Sequence, residues 1–146
     1  MKILALCSRL VLCWAVSLLV GCSSITPFSQ KAYEQATSLK VEALAIMDKA
    51  TEPYDSQRQA VDALKLNVEK AYEYSKGLPK NEITTKQWTI IKDPSRNSLG
   101  GFLKRWEEKK TLDGQFILQA KGLVSDGFDM VIGLESGKIK PGDGQN

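Results

Sequence analysis

The sequence contains no histidine, and it has only three cysteines among its 146 residues. Without histidine, Ser-His-Asp and Cys-His catalysis are excluded, as are histidine-ligated metals and a histidine pH switch. Catalysis would have to use Asp, Glu, Lys, Tyr or Ser. The one adjacent pair of acids, Glu107-Glu108, points in directions about 100° apart on a helix and makes a poor acid–base pair. We therefore expect no catalytic residue, no metal site and no enzyme activity.

The apolar residues are concentrated at the start of the chain, although the whole sequence is 42 % hydrophobic. Of the first 21 residues, 16 are apolar, and the positive charges of Lys2 and Arg9 come before the main apolar run at 10–20. Such a run is too short to cross a hydrocarbon core of about 30 Å comfortably, and it is typical of a secretory signal. The sequence therefore predicts a signal peptide over residues 1–21.

The residues that follow are more specific. Leu19-Val20-Gly21-Cys22 resembles the lipobox of bacterial lipoproteins, in which cleavage occurs just before a cysteine that carries lipid. The resemblance covers this segment alone, and the alternative is an ordinary signal peptide with an incidental cysteine. It implies a covalent diacylglycerol and an N-acyl chain on Cys22, with no other cofactor. The next residue, Ser23, resembles the residue found at this position in lipoproteins that are sorted to the periplasmic leaflet of the outer membrane. In a Gram-positive cell, the same signal would place the protein on the outer face of the plasma membrane.

Cleavage before Cys22 would change the charge and the cysteine content. Cys7 and Cys13 would leave with the signal peptide, so the rest of the chain would hold no free thiol and no disulfide. The loss of two basic residues would leave 18 against 17 acidic ones, which gives nucleic-acid binding no electrostatic basis. Residues 22–29 would form a lipidated tether of roughly 15 Å, which would keep the domain close to the membrane.

Two amphipathic helices are predicted between residues 29 and 78. The first has apolar residues spaced alternately four and three apart, with Ser29 as a candidate N-cap. These apolar residues are Ala32, Ala36, Leu39, Ala43, Ile46 and Ala50. The second begins at Ser56, which forms a capping-box pattern with Gln59. Because Pro53 separates them, we expect an antiparallel hairpin, with a single helix kinked at Pro53 as the alternative.

The remainder predicts an all-α bundle of three long helices and a shorter one. Residues 80–98 are rich in β-branched side chains and could be extended, but a short helix capped by Asn81 is favoured because a lone strand would have no partner. Gly100-Gly101 marks a turn before the shorter helix, which carries Trp106. The strongest core pattern spans 113–135. We assign the bundle domain to 30–137 and a flexible tail to 138–146. In the pattern over 113–135, a second apolar row beside the first, with residues spaced seven apart, makes the apolar face wide enough for two neighbouring helices. The first row comprises Phe116, Ala120, Leu123, Gly127, Met130 and Leu134, and the second comprises Ile117, Val124 and Val131.

Three aromatic residues are the candidates for partner binding: Trp88, Phe102 and Trp106. They could simply pack over one end of the bundle, or they could form an exposed anchor patch for a partner protein. We therefore expect a lipid-anchored periplasmic adaptor that binds an envelope protein, is attached to the membrane by its lipid, and does not bind nucleic acid. A carrier of a hydrophobic ligand is the alternative, which an interior cavity would favour. An envelope enzyme is the third hypothesis, and the lack of histidine and of a paired acid–base site argues against it.

Overall fold

The computed structural model describes residues 28–140, and within this range every regular element is a helix. The prediction of a small all-helical bundle is confirmed. Three helices are long, as expected, but two are short rather than one. In chain order the five helices are α1 (Gln30–Met47), α2 (Tyr54–Gly77), α3 (Glu82–Lys92), α4 (Leu99–Lys109) and α5 (Gly114–Glu135).

Helices α1 and α2 form an antiparallel hairpin, as expected. The hydroxyls of Ser29 and Tyr74 are hydrogen-bonded at 3.3 Å, so the start of α1 lies beside the end of α2. Ser29 is the N-cap of α1, and its Oγ accepts a hydrogen bond from the Ala32 backbone N–H. The predicted start of α2 at Ser56 is wrong. The helix begins at Tyr54 after Pro53, whose restricted φ suits a helix entrance, and Ser56 donates its hydroxyl proton to the Pro53 carbonyl instead.

Residues 82–92 are helical despite their β-branched composition. Trp88 packs edge-on against Phe128 of α5, with ring centroids 5.8 Å apart. Ile91 lies beside Gly127 of the same helix. This burial outweighs a weak local preference for extended structure. Asn81 precedes the helix as predicted, but its side chain makes no capping bond to the helix.

Helices α1, α2, α3 and α5 surround the core, and each is antiparallel to its neighbours. Helix α5 runs back along α1, where Lys40 pairs with Asp129 and Lys121 with Asp48. Helix α3 lies between α2 and α5 but, with 11 residues, is about half as long as either. Helix α4 fills the rest of that side and contacts both α2 and α3. The core is therefore closed by two short helices joined end to end.

Of the two apolar rows predicted for α5, the second is buried, whereas the first lies at the edge of the buried face. The most deeply buried hydrophobic side chains of this helix are Ile117, Val124, Phe128 and Val131. Leu123, by contrast, has 57 % of its surface exposed. Because α1 flanks α5 on one side and α3 on the other, the buried face is centred on the second predicted row, Ile117, Val124 and Val131.

The two ends of the bundle are held differently. At the end where α1 begins, called the anchor end because the predicted lipid attachment precedes it in the chain, Ser29, Tyr74, Asn81 and Glu135 lie close together. At the opposite, distal end, two loops are joined by backbone hydrogen bonds. Tyr54 N donates to Lys110 O, and Leu112 N donates to Ala50 O, both at 2.8 Å.

None of the described helices is long and apolar enough to cross a bilayer.

Candidate docking groove beside α4

The residues predicted to be functional fall into two groups. Cys22 and Ser23 lie outside the described residues. Trp88, Phe102 and Trp106 are all in the interior, with at most 3 % of their surface exposed. They do not form an exposed aromatic patch, because α3 and α4 turn their apolar faces into the bundle. Of the two alternatives, packing within the bundle is the one that describes where these three side chains lie.

Trp106 shows why this burial is stable. Its ring is fully buried and meets the edge of the Tyr54 ring, with centroids 5.5 Å apart. Its indole N–H donates to the Glu52 carbonyl at 3.0 Å, so the one polar atom of the side chain is satisfied inside the protein. Trp106 therefore joins α4 to the loop between α1 and α2.

A groove of about 470 Å³ lies between α4, α5 and the loop at 93–98. Helix α3 is only about half as long as α5, and the groove lies where α4 takes the place of α3 beside the other half of α5. Phe102 and Phe116 form parallel stacked rings with centroids 6.0 Å apart. Leu123 is the exposed apolar residue of the groove. The sequence pattern assigned Phe116 and Leu123 to the core, and only their position at the edge of the buried face distinguishes them.

The rim of this groove is basic. Arg96, Lys104 and Arg105 contribute three positive charges, against one negative charge from Glu108. Lys104 lies 3.9 Å from Glu108, and Arg96 lies 3.6 Å from Asp93 outside the groove. The Arg105 guanidinium stands 4.4 Å from the Phe116 ring centroid. Within residues 28–140, no carboxylate lies within salt-bridge distance of Arg105.

The loop at one end of the groove is held by close backbone contacts. Asp93 Oδ1 accepts hydrogen bonds from the backbone N–H and the hydroxyl of Ser95. These bonds hold the pKa of Asp93 below its usual value, the hydroxyl bond contributing most. A Cβ on Gly101 would lie 1.9 Å from the Arg96 carbonyl oxygen. Gly101 and its neighbour Gly100 are inside α4 rather than in the predicted turn, and both allow α4 to approach this loop.

A second groove, of about 600 Å³, lies on the other side of α4, against α2 and α3. Its lining includes the apolar side chains of Val68, Leu99 and Leu103. Lys92 donates to both carboxylate oxygens of Glu69 at 2.8 Å, which links α2 and α3 beside it. Opposite charges thus accompany the apolar lining, in contrast to the basic rim of the first groove.

A buried polar cluster joins three helices at the anchor end. Asn81 Nδ2 donates to Glu135 Oε1 at 3.0 Å and to Ser75 Oγ at 2.9 Å. The hydroxyl of Thr85 lies 3.3 Å from that of Ser75. Glu135 is only 4 % exposed, and its Oε2 has no hydrogen-bond partner among the described residues. Burial raises the pKa of Glu135, although the bond from Asn81 opposes this.

The carboxylates are dispersed rather than gathered at a site. In the described range 28–140, no three His, Cys, Asp or Glu residues lie close enough to hold a metal ion. Glu107 lies 3.6 Å from Arg58 of α2, whereas Glu108 faces Lys104. The adjacent acids therefore have different partners.

Comparison with protein-family profiles, with curated proteins and with solved structures gives no match to this chain.

Proposed function

We propose that this protein is a lipid-anchored helical adaptor of the bacterial cell envelope. Cys22 carries the lipid, Ser23 directs the protein to the periplasmic leaflet of the outer membrane, and the bundle binds an envelope protein. The observation that supports binding is the groove between α4 and α5, because it combines an exposed leucine with a basic rim. Exposed apolar surface bordered by polar residues is typical of interaction sites. The proposal requires no catalytic group and no bound cofactor.

The anchor is tested by metabolic labelling with radioactive palmitate, followed by separation of inner and outer membranes. We expect label on the full-length protein and none on Cys22→Ser, because the serine hydroxyl does not accept the lipid. Ser23→Asp should keep the label but move the protein to the inner membrane. Persistence of label on Cys22→Ser would refute the anchor.

A second candidate function is the binding of a hydrophobic ligand. The observation that favours it is the second groove, whose volume of about 600 Å³ lies within the usual range for ligand sites. Displacement of a fluorescent hydrophobic dye would test it. A carrier should lose dye binding on Thr89→Glu, at an exposed position that lines the second groove, but retain it on Leu123→Glu, which changes only the first groove. Equal loss in both variants would contradict a site in the second groove.

A further inference from the structure

We propose that the groove between α4 and α5 binds a protein segment that presents apolar side chains next to a carboxylate, and that Arg105 receives this carboxylate. This inference rests on the proposed adaptor function and specifies its partner. It follows from the apolar surface of the groove, from the charge of its rim and from its position relative to the anchor end.

The apolar surface supplies the first argument. Leu123 remains 57 % exposed although α5 is the most apolar of the five helices. It lies in the same groove as Phe116, which stacks on the buried Phe102. Covering a leucine and an aromatic edge with apolar side chains would remove this surface from water. Among residues 28–140, no helix or loop of the bundle covers the exposed surface of Leu123.

The charge of the rim supplies the second argument. Arg105 lies over the face of Phe116, and such stacking leaves the N–H edges of the guanidinium available to donate. A carboxylate can accept two parallel hydrogen bonds from those edges. Lys104 and Arg96 each face one acid, so Arg105 is the rim cation without one in the described part of the chain. The rim is thus complementary to an acidic partner.

The position of the groove argues against the bilayer as its occupant. Ala120, in the middle of the groove, precedes Glu135 at the anchor end by about 20 Å along α5, at 1.5 Å per residue. The chain enters the bundle at the anchor end, through Ser29. A lipid headgroup beside the anchor would have to reach most of the length of the bundle, whereas a protein in the periplasm approaches the distal half directly.

The test begins with photo-crosslinking of the full-length protein in intact cells of its host. A photoreactive amino acid replaces Leu123 in one variant and Val41 in the other. Val41 is the matched control because it is 66 % exposed on α1 and lines neither groove. We expect the Leu123 position, and not Val41, to cross-link to a protein segment with an Asp or Glu beside apolar residues.

The second step is a charge exchange with that segment, made as a synthetic peptide and bound to the full-length protein in detergent. Arg105→Glu should weaken binding by about 30-fold, because the reversal places two carboxylates against each other across the interface. Lys109→Glu, the same change at an exposed position of α4 outside the groove, should leave binding unchanged. A peptide with its acid replaced by lysine should recover affinity for Arg105→Glu. Thermal unfolding confirms that each variant is folded.

Three results would overturn the inference: a phospholipid adduct at Leu123, a cross-linked segment without a carboxylate, or failure of the charge exchange to restore binding. Protein adducts confined to Val41 would also overturn it but leave the adaptor function standing. The absence of a protein adduct at either position, in cells that still lipidate Cys22, would remove both the inference and the adaptor function.

Discussion

Replacement of Trp106 by alanine should remove a large part of the stability of the fold. The side chain is fully buried, and truncation of a buried tryptophan to alanine commonly costs about 3–5 kcal/mol. Domains are typically stable by only about 5–15 kcal/mol, so this variant should be near the limit of folding. The loss combines the space vacated beside Tyr54 with the hydrogen bond to the Glu52 carbonyl.

Trp106→Phe separates the two contributions. Phenylalanine keeps most of the ring contact with Tyr54 but has no N–H, so the Glu52 carbonyl loses its indole donor. An acceptor left unpaired in the interior costs about 1–3 kcal/mol, so the phenylalanine variant should fall between the wild type and alanine.

Urea unfolding followed by circular dichroism measures both variants, with residues 23–146 as the reference protein. The free energies of unfolding are compared at equal slopes against urea, so that a change in midpoint reports stability. If Trp106→Ala unfolds cooperatively with a loss below about 1 kcal/mol, the side chain does not support the core. This result would refute the place of Trp106 in the interior and would favour the alternative, an exposed aromatic patch that binds a partner protein.

Two further changes test the loop and the buried carboxyl. Gly101→Ala should cost about 1–3 kcal/mol in urea unfolding because its Cβ would collide with the Arg96 carbonyl, whereas Gly122→Ala, with open space at the Cβ, should gain up to about 1 kcal/mol from helix propensity. Equal effects would contradict the close approach. Burial raises the folded-state pKa of Glu135 above its ordinary value of 4.5, so its stabilising contribution is complete below that pH and is lost as the pH rises through the raised pKa. Glu135→Gln should remove this decline from unfolding measured between pH 4 and 8, and an unchanged slope would show that Glu135 does not titrate abnormally.

The elements of the fold were predictable wherever one helix face is apolar and the other polar. The hairpin follows from the period of α1 and α2 and from Pro53, because a small domain must bury both apolar faces. Residues 82–92 were harder, since their β-branched side chains are helical only through contacts such as Trp88 with Phe128. The sequence pattern alone does not contain these contacts.

The candidate groove was less accessible to prediction than the fold. The sequence makes Trp106 and Phe102 candidates because exposed aromatics often bind partners, but hydrophobicity alone does not distinguish a buried ring from an exposed one. Leu123 belongs to a regular apolar stripe, and its exposure depends on where α3 ends and α4 begins. Arg105 is one of several cations in its segment, and its stacking on Phe116 joins residues from two helices.

The two backbone bonds at the distal end have a consequence for how freely the sequence can vary there. Main-chain atoms join Tyr54 to Lys110 and Leu112 to Ala50, so the bonds themselves are indifferent to side-chain identity. At the donor positions, 54 and 112, any residue except proline supplies the required N–H. The buried side chains of Ala50, Tyr54 and Leu112 are constrained by packing and not by these bonds, so divergent homologues could replace them with other residues that fit the core and keep the same joint. A search for this joint in other proteins would have to compare chain paths rather than residues.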